Sequence, residues 1–535
     1  MRNPLKRWLF LTHRWLAIVA CAFFALWFVS GVVMMYVGYP RLTDAERLQH
    51  LPPLADTSNL LAPHAALAAA GLEGPLQDLR LAVVSGGRAV YLAVPGGERS
   101  AAPRRTRGSA VAIDAETGEV LRSVSAAHAL ASATAYARHS ADGAARVQYL
   151  GTIDEDAYTH SRALDAHRPL HRVQLHDDAA TRLYISGRTG EVVRDASRTE
   201  RVWNYAGAWI HWLYPLRGIG IDRYWADIVN TLSLVGIAVV LTGAAVGVMR
   251  WRFAGRYRSG SRSPYPGRMM RWHHISGLLF AVVTLAWMFS GLMSMNPWRM
   301  FDNGAPPLHS EALQGGPLHI DARDAAPHAL LAAAGGAAVR ELRWTRTLGT
   351  SLVQARSADT RPALIDSHSA QPRTLDPAAV HAAAARLLSE PVLRIEQLDA
   401  YDLHYYARAP HTMSGGADRP LPALRVVFGD ERATWVHIDP HTGAVLGRTD
   451  DTRRVRRWLF AMLHSWDWLP LLERRPLWDI VMVVLSLGGT LLSVTGVVIG
   501  WRRLRVRLRL RRAPRATRAT RAVPGTSVEM EHPAP

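Results

Sequence analysis

The sequence predicts a membrane α-helical bundle with four transmembrane helices, built as two tandem repeats, that carries two α+β domains outside the membrane. Three observations predict this fold class. Four apolar runs are long enough to span a bilayer, and two polar blocks are each large enough for a small domain. Matching residues also recur about 250–260 positions apart along the chain. The average composition, 49% hydrophobic over 535 residues, is therefore a mixture of lipid-facing and water-facing parts.

The four apolar runs are the candidate transmembrane helices, and they cover residues 8–36, 225–249, 275–295 and 478–501. The first run follows basic residues, as the apolar core of a signal peptide does. It is too long for a signal peptide and no small-residue cleavage site follows it, so we expect a retained anchor. The single cysteine, Cys21, lies in this run, which excludes disulfides, iron–sulfur clusters and haem attached through cysteine pairs.

The net charge of +19 comes from arginine-rich segments beside the spans, at residues 1–14, 250–271 and 502–521, and these segments contain no Asp or Glu. This distribution is the positive-inside signature. It predicts a multi-pass protein of a bacterial inner membrane, with both termini and the middle loop in the cytoplasm. The polar blocks then face the periplasm. Because the charge is explained by the bilayer, we expect no nucleic-acid partner.

These signals divide the chain into eight predicted segments. They are a first transmembrane helix (1–39), a first periplasmic domain (40–200), an interfacial and a second transmembrane helix (201–250), a cytoplasmic loop (251–271), a third transmembrane helix (272–296), a second periplasmic domain (297–452), an interfacial and a fourth transmembrane helix (453–503) and a basic cytoplasmic tail (504–535). The Trp-rich stretches at 203–214 and 454–468 are too short to span, and we expect them at the outer interface.

Each periplasmic domain is predicted to contain two small helix-plus-sheet modules. Three stretches have the pattern of a hairpin, in which a turn closed by Thr-Gly joins two strands: VAIDAETGEVL (111–121), LYISGRTGEVV (183–193) and VHIDPHTGAVL (436–446). A fourth copy, ALIDSHSAQP from Ala363, keeps the strand but lacks the Thr-Gly. Alanine-rich helices are predicted at residues 62–71, 326–335 and 377–388.

The tandem repeat is visible when the chain is aligned with itself. An offset of 260 residues places Ser30-Gly31 on Ser290-Gly291, Trp27 on Trp287 and His13 on His273. An offset of 253 residues places Thr242-Gly243 on Thr495-Gly496, Trp225 on Trp478 and His211 on His464. Each unit therefore comprises a span, an outer domain and a second span.

The repeat arranges four histidines in two pairs. Helical rise places His13 and His273 near the cytoplasmic face, whereas His211 and His464 lie near the periplasmic face. Paired neutral imidazoles from facing helices suit the axial ligation of b-type haem, so the sequence predicts two haems, one for each pair. Two axial ligands leave no open position on the iron, which favours electron transfer over oxygen chemistry.

Further residues are candidates for the walls of these haem sites. Trp27 and Trp287 would pack against porphyrin, and Arg14, Arg217 and Arg223 would pair with propionates.

Other roles for these histidines are open. A membrane histidine also serves as a hydrogen-bonding residue between helices, and His274 is an alternative to His273 as ligand. The spacings among His160, His167, His171 and His176 fit no tight metal motif, so we expect a solvated loop and strand there.

Several motifs together resemble the PepSY-associated transmembrane helix family. They are LTHRWLA near the start of a span, IHWLYP and MLHSWDW before two later spans, the SG and TG pairs, and the D-x-x-TG-x-V hairpins. The resemblance covers about residues 5–503. Ala17 stands where the family has a glycine, and HHIS replaces HRWL in the second repeat, where Gly277 is kept.

The family includes iron-uptake membrane proteins and dihaem ferric-siderophore reductases. The resemblance therefore implies PepSY-like modules in the outer domains and a ferric chelate or siderophore as electron acceptor. It implies that the protein is a haem-dependent ferric reductase.

The electron donor must be another molecule. The cytoplasmic segments are too short for a nucleotide or flavin domain and contain no GxGxxG, so we expect quinol or a membrane or cytoplasmic reductase to supply electrons.

Two other functions compete with electron transfer to a ferric acceptor. A PepSY-containing membrane-anchored regulatory or peptide-binding protein would need no redox activity, and a transporter would need polar residues near the midplane rather than at the span ends.

Overall fold

The structure is a computed structural model, and it describes residues 4–512 except 56, 97–109, 140–145, 218, 303, 336–337 and 408–418. The α-helices in chain order are α1 (Pro4–Tyr36), α2 (Asp44–His50), α3 (Pro63–Ala69), α4 (Ala126–Arg138), α5 (Arg198–Asn204), α6 (Trp225–Arg250), α7 (Arg268–Ser294), α8 (Glu311–Gln314), α9 (Pro327–Ala333), α10 (Pro377–Ala384), α11 (Asp451–Arg457), α12 (Leu469–Leu472) and α13 (Leu477–Arg512).

The strands fall into four groups along the chain. They are β1 (Leu76–Val84), β2 (Arg88–Pro95) and β3 (Val111–Asp114); β4 (Val147–Ile153), β5 (Leu170–Leu175), β6 (Arg182–Ser186) and β7 (Val192–Ala196); β8 (Glu341–Thr347), β9 (Thr350–Arg356) and β10 (Ala363–Asp366); and β11 (Val392–Leu398), β12 (Ala423–Phe428), β13 (Trp435–Ile438) and β14 (Val445–Thr449).

Four helices of the described chain, α1, α6, α7 and α13, are long and apolar enough to cross a membrane, which confirms the four predicted spans and a multi-pass membrane protein. Helix α13 continues to Arg512, so the first part of the predicted tail is helical. The tail from residue 513 lies outside the described residues.

The spans form a bundle in which α1 and α7 face each other across the centre. Each of these two helices packs against both α6 and α13. Small residues allow this close approach. A Cβ atom at Gly489 would lie 2.3 Å from the ring of Phe28, and that ring is 5.5 Å from Trp287 on α7. We call the end of the bundle that leads into the strands the domain side, and the opposite end the arginine side.

The strands form antiparallel sheets beside helices, which fits the predicted α+β domains, but they connect the two outer blocks in an unexpected way. Strands β4–β7 and β11–β14 form separate four-stranded antiparallel sheets. The remaining strands form one six-stranded sheet in the order β10-β9-β8-β1-β2-β3. Its centre is the antiparallel pairing of β1 with β8, from Leu79↔Trp344 to Ala82↔Glu341. The two blocks that the sequence divides into separate domains therefore share a sheet and a core.

A buried ion network crosses this junction. The side chain of Glu341 on β8 is 0% exposed, and it contacts Arg47 at 2.8 Å, Arg80 at 3.3 Å and Arg356 at 2.8 Å. Burial alone would raise the pKa of Glu341, but the three arginines outweigh it and hold the pKa at about 2. Because Arg47 and Arg80 come from the first block, the carboxylate links the two halves of the molecule.

The hairpin turns need glycine for their backbone conformation. Gly190 and Gly443 have φ of +76° and +72°, a region that disfavours residues with a Cβ atom. A Cβ at Gly190 would also lie 2.6 Å from Ser85 Cα, so this turn packs closely on the turn between β1 and β2. Helix α4, which covers the β4–β7 sheet, is one that the sequence analysis did not predict.

Candidate functional site

The structure brings the two pairs of equivalent histidines together. His211 and His464 have ring centres 6.1 Å apart on the domain side. His13 and His273 have ring centres 6.5 Å apart on the arginine side. Seventeen residues of α1 separate His13 from Ser30, which contacts His211, so the two pairs are about 26 Å apart along the bundle.

Matching serines orient the domain-side pair. Ser30 Oγ lies 3.0 Å from His211 Nδ1, and Ser290 Oγ lies 3.0 Å from His464 Nδ1. Each serine hydroxyl donates to the carbonyl oxygen three residues earlier, that of Trp27 at 3.3 Å or Trp287 at 3.2 Å. Because the hydroxyl hydrogen is used there, the serine oxygen accepts from Nδ1–H. The Nε2 lone pair of each ring is then available to a metal ion.

A π-helical turn precedes each domain-side histidine, at Tyr205–Trp209 and at Trp458–Met462. The two turns occupy equivalent positions in the repeat alignment. The first turn packs on α1 and the second on α7. In the first turn, Gly207 lies so close to α1 that a Cβ atom at this position would be 3.1 Å from the Val33 side chain. The wider turn changes the register of the helix and directs the histidine into the bundle, a use of π-helical turns that is common at functional sites.

An apolar cavity of about 200 Å³ contains the domain-side pair. Its walls are mainly aromatic rings, methionines and small residues; they include Trp27, Phe28, Gly31, Met34, Trp212, Trp225, Trp287, Gly291, Met295, Phe460 and Met482. Both histidines lie outside the four spans. Burial lowers the pKa of His211 to about 3 and that of His464 to about 4, so both imidazoles are neutral, as metal ligation requires.

Backbone carbonyls orient the arginine-side pair. His13 Nδ1 donates to the Val239 carbonyl at 3.1 Å, and His273 Nδ1 donates to the Leu492 carbonyl at 3.2 Å. Val239 and Leu492 are equivalent in the repeat. Thr495 Oγ1 lies 3.1 Å from His273 Nδ1 as well. As on the domain side, each ring is held through Nδ1, which leaves its Nε2 lone pair available to a metal ion.

Two equivalent glycines make room for this arginine-side pair. A Cβ atom at Gly243 would lie 2.6 Å from His13 Cε1. A Cβ atom at Gly496 would lie 2.5 Å from Cys21 Sγ and 3.3 Å from His273 Cε1. Only glycine therefore allows α6 and α13 to approach the two imidazoles so closely.

The geometry of both pairs fits one metal ion between two imidazoles. A metal ion lies about 2 Å from a ligating histidine nitrogen, and the ring centre is about 1 Å further, so rings on opposite sides of one ion have centres about 6 Å apart. The observed 6.1 and 6.5 Å agree with this value. A second hydrogen bond that fixes each ring is the usual support of such ligands. Each pair therefore has the spacing that two imidazoles need to share one metal ion, and haem iron is one ion that such a pair would hold.

His274 is not available as a ligand. Its Nδ1 lies 2.8 Å from Ser263 Oγ and its Nε2 lies 2.9 Å from the Gly247 carbonyl, so both nitrogens of this buried ring are engaged. The side chain connects α7 to the end of α6 and the following loop. Of the two alternatives, the geometry favours His273.

The other predicted site residues lie in two settings. Trp27 and Trp287 line the cavity of the domain-side pair. The guanidinium of Arg217 stacks 4.9 Å from the ring of Trp225, which also lines that cavity. Arg14 lies over Trp15 on the arginine side, and its Nε is buried with no hydrogen-bond partner in the described part of the chain.

Arg223 stacks on Tyr224 instead of at the cavity. The histidines of residues 160–176 do not gather. His171, for example, hydrogen-bonds Tyr149 and the Val124 carbonyl inside its own module.

Sequence reasoning missed the residues that hold the histidines. Ser30, Ser290 and Thr495 were visible only as markers of the repeat, and the structure shows them on the Nδ1 atoms. Their recurrence beside glycine was the signal that could have identified them. The π-helical turns left no recognisable trace in the sequence.

Comparison with known protein families agrees with this architecture. The family described as the PepSY-associated TM region matches residues 10–371. The chain belongs to this PepSY-associated family. The match includes α1, the first block, α6, α7 and the strands β8–β10, whereas α13 lies beyond it. No curated protein matches the chain.

Proposed function

We propose that this PepSY-associated protein is an inner-membrane dihaem b-type electron-transfer protein that passes electrons across the membrane to a periplasmic acceptor. The acceptor would be a ferric siderophore or another ferric chelate, which makes the protein a ferric reductase in iron uptake. The observation that carries the proposal is the pair of facing imidazoles at each end of the bundle, each held through Nδ1 with ring centres 6.1 and 6.5 Å apart.

When bound, the two haems supply one-electron redox centres near opposite faces of the membrane. The chain's residues position them. His13 and His273 would hold the haem on the arginine side, where Gly243 and Gly496 let α6 and α13 pack closely around the two imidazoles. His211 and His464 would hold the haem in the apolar cavity, where the Trp27 and Trp287 rings exclude water. Arg14 directly follows His13, and Arg217 stacks on the cavity-lining Trp225, so these two cations would meet propionates.

The orientation follows from charge. Arginines concentrate at the end of the bundle opposite the strands, so the arginine side would be cytoplasmic and the sheet modules periplasmic. Equivalent residues hold equivalent histidines in both halves, which supports a tandem repeat. Electrons would enter at the arginine side from quinol or a reductase and leave at the domain side.

Reconstituted vesicles test the proposal. Protein with its sheet modules outward should reduce an external ferric chelate when quinol is present in the membrane. His211→Ala removes one domain-side ligand, so external reduction should fall at least tenfold while quinol still reduces the remaining haem. His274→Ala is the matched control and should keep full activity, because that ring is held by Ser263 and Gly247.

Two results would contradict the proposal. Equal activity of His211→Ala and wild type would remove the domain-side pair from the route. Protein purified without haem would instead favour a membrane-anchored regulatory or peptide-binding role for the PepSY-like modules.

A further inference from the structure

Outside the bundle, the described residues contain one group of His, Asp and Glu side chains with metal-binding geometry. Asp321, Asp324 and His368 each offer a ligand atom, and these atoms all lie within 4.8 Å of one another. The two aspartates precede α9, and His368 lies in the turn after β10. The cluster belongs to the second block and is independent of the haem proposal.

Asp324 is the unusual member because it is a buried carboxylate without enough hydrogen-bond donors. Its side chain is 0% exposed. One oxygen, Oδ2, accepts from the backbone N–H of Asp321 at 2.8 Å. The other, Oδ1, is buried with no partner in hydrogen-bond geometry among the described residues, and so is the neighbouring Ser367 hydroxyl. A buried carboxylate in this state is costly unless it takes up a proton or a cation neutralises it.

The first half of the molecule shows that the fold does not require a carboxylate here. The repeated decamer that begins at Ala62 and at Ala326 aligns Asp324 with Leu60. Leu60 is 7% exposed, so the same buried position holds a leucine. The IDAE and IDSH turns likewise align His368 with Glu116. The second half has therefore exchanged an apolar residue for a buried acid and placed an imidazole beside it.

The other two ligands are accessible. His368 Nε2 points towards Asp324 Oδ1 at 3.9 Å, and the ring is 38% exposed. The Asp321 carboxylate accepts hydrogen bonds from Arg323. The Arg323 Nε lies 3.2 Å from Oδ1 and 3.1 Å from Oδ2, and Nη2 lies 2.5 Å from Oδ2. The backbone N–H of Arg323 donates to Oδ1 at 2.8 Å. The Arg323 side chain is 73% exposed, and exposed ion pairs of this kind are weak, so the guanidinium can rotate into solvent when a cation binds.

We propose that Asp321, Asp324 and His368 bind a divalent first-row transition ion of the zinc or ferrous class. Two carboxylates and one imidazole are a borderline donor set, which these ions prefer, whereas Ca²⁺ and Mg²⁺ prefer oxygen ligands alone. Three protein ligands leave a coordination position for water or a further ligand.

Zinc binding to the full-length protein in detergent, purified with its haem and treated with a chelator, tests the site. Calorimetric titration with ZnCl₂ should show one more equivalent bound by wild type than by His368→Ala or Asp324→Leu, or an affinity at least tenfold higher. His328→Ala is the matched control, because this exposed histidine lies on α9 outside the cluster, and it should bind zinc as wild type does.

Asp324→Leu restores the residue of the first half, so it should fold whether or not the site exists. Zn²⁺ should raise the melting temperature of wild type and leave that of Asp324→Leu unchanged. Equal zinc stoichiometry and affinity in wild type, His368→Ala and Asp324→Leu would overturn the proposal. That result would leave Asp324 and His368 as neighbouring side chains that bind no metal ion.

Discussion

Gly243→Ala adds one methyl group beside the arginine-side pair and tests whether that pair is a haem site. The new Cβ would lie 2.6 Å from His13 Cε1, whereas carbon atoms in contact are about 3.5–4.0 Å apart. The imidazole must therefore move by about 1 Å. Such a shift would break the 3.1 Å hydrogen bond from His13 Nδ1 to the Val239 carbonyl, because a donor–acceptor distance near 4 Å is no longer a hydrogen bond.

The expected result is loss of one haem. Removing the outer support of a metal-ligating histidine costs about 10- to 100-fold in metal affinity, and a displacement of about 1 Å adds to that cost. Purified Gly243→Ala should contain about one haem per chain where wild type contains two. Haem content is measured from the absorbance of the pyridine complex against protein concentration.

Gly500→Ala on α13 is the matched control on the arginine side. The atom nearest to a Cβ at Gly500 is Ile18 Cγ1 at 3.4 Å, an ordinary van der Waals contact, and alanine in place of glycine stabilises a helix by about 1 kcal/mol. This variant should keep both haems. If Gly243→Ala also keeps both with an unchanged spectrum, Gly243 has no role in accommodating a ligated His13.

Three further predictions address the domains and the orientation. Gly190→Val should destabilise the protein by about 2 kcal/mol or more, measured as a lower melting temperature with an unchanged haem spectrum, because φ is +76° and Ser85 fills the space; loss of haem from folded protein would contradict this. Glu341→Gln should cost about 2–3 kcal/mol, because Arg47, Arg80 and Arg356 lose a shared buried carboxylate although Asp44, Asp78 and Glu191 still pair with them, and an unchanged melting temperature would contradict it. The pKa of Glu341 is about 2 in the folded protein, below its ordinary 4.5. Ionised Glu341 should therefore contribute about 3 kcal/mol to the free energy of unfolding above pH 4.5, and this contribution should decline as the pH falls towards 2. Glu341→Gln should flatten this part of the plot of stability against pH. Reporter fusions within residues 40–200 and 297–452 should be active in the periplasm, and activity at residue 260 would reverse the orientation.

Much of the fold could be predicted because its signals are local. The spans are long apolar runs, and the hairpins carry a Thr-Gly at a fixed position. The pairing of β1 with β8 could not be predicted in this way, because nothing in either strand specifies its partner. That pairing depends on the buried contact of Leu79, Leu342 and Trp344 and on the Glu341 network, which join residues far apart in the chain.

The proximity of the paired histidines could be predicted because the alignment of the chain with itself supplied a register. His13 and His273, or His211 and His464, are unremarkable singly, and their equivalence identified them. The choice between His273 and His274 could not be made from the sequence, because it depends on which ring faces Leu492 and which faces Gly247. The cluster around Asp324 was missed for a similar reason, since its ligands are brought together only by the packing of the segment before α9 on the β10 turn.

The haem content of wild type and of two single-ligand variants tests whether each histidine pair holds a haem. Wild-type protein should show a reduced b-type spectrum with two haems per chain. His13→Ala and His211→Ala should each retain about one haem, and the double variant should retain none, because each pair holds one iron. Wild-type protein without haem absorbance, or a double variant that still carries two haems, would contradict the account.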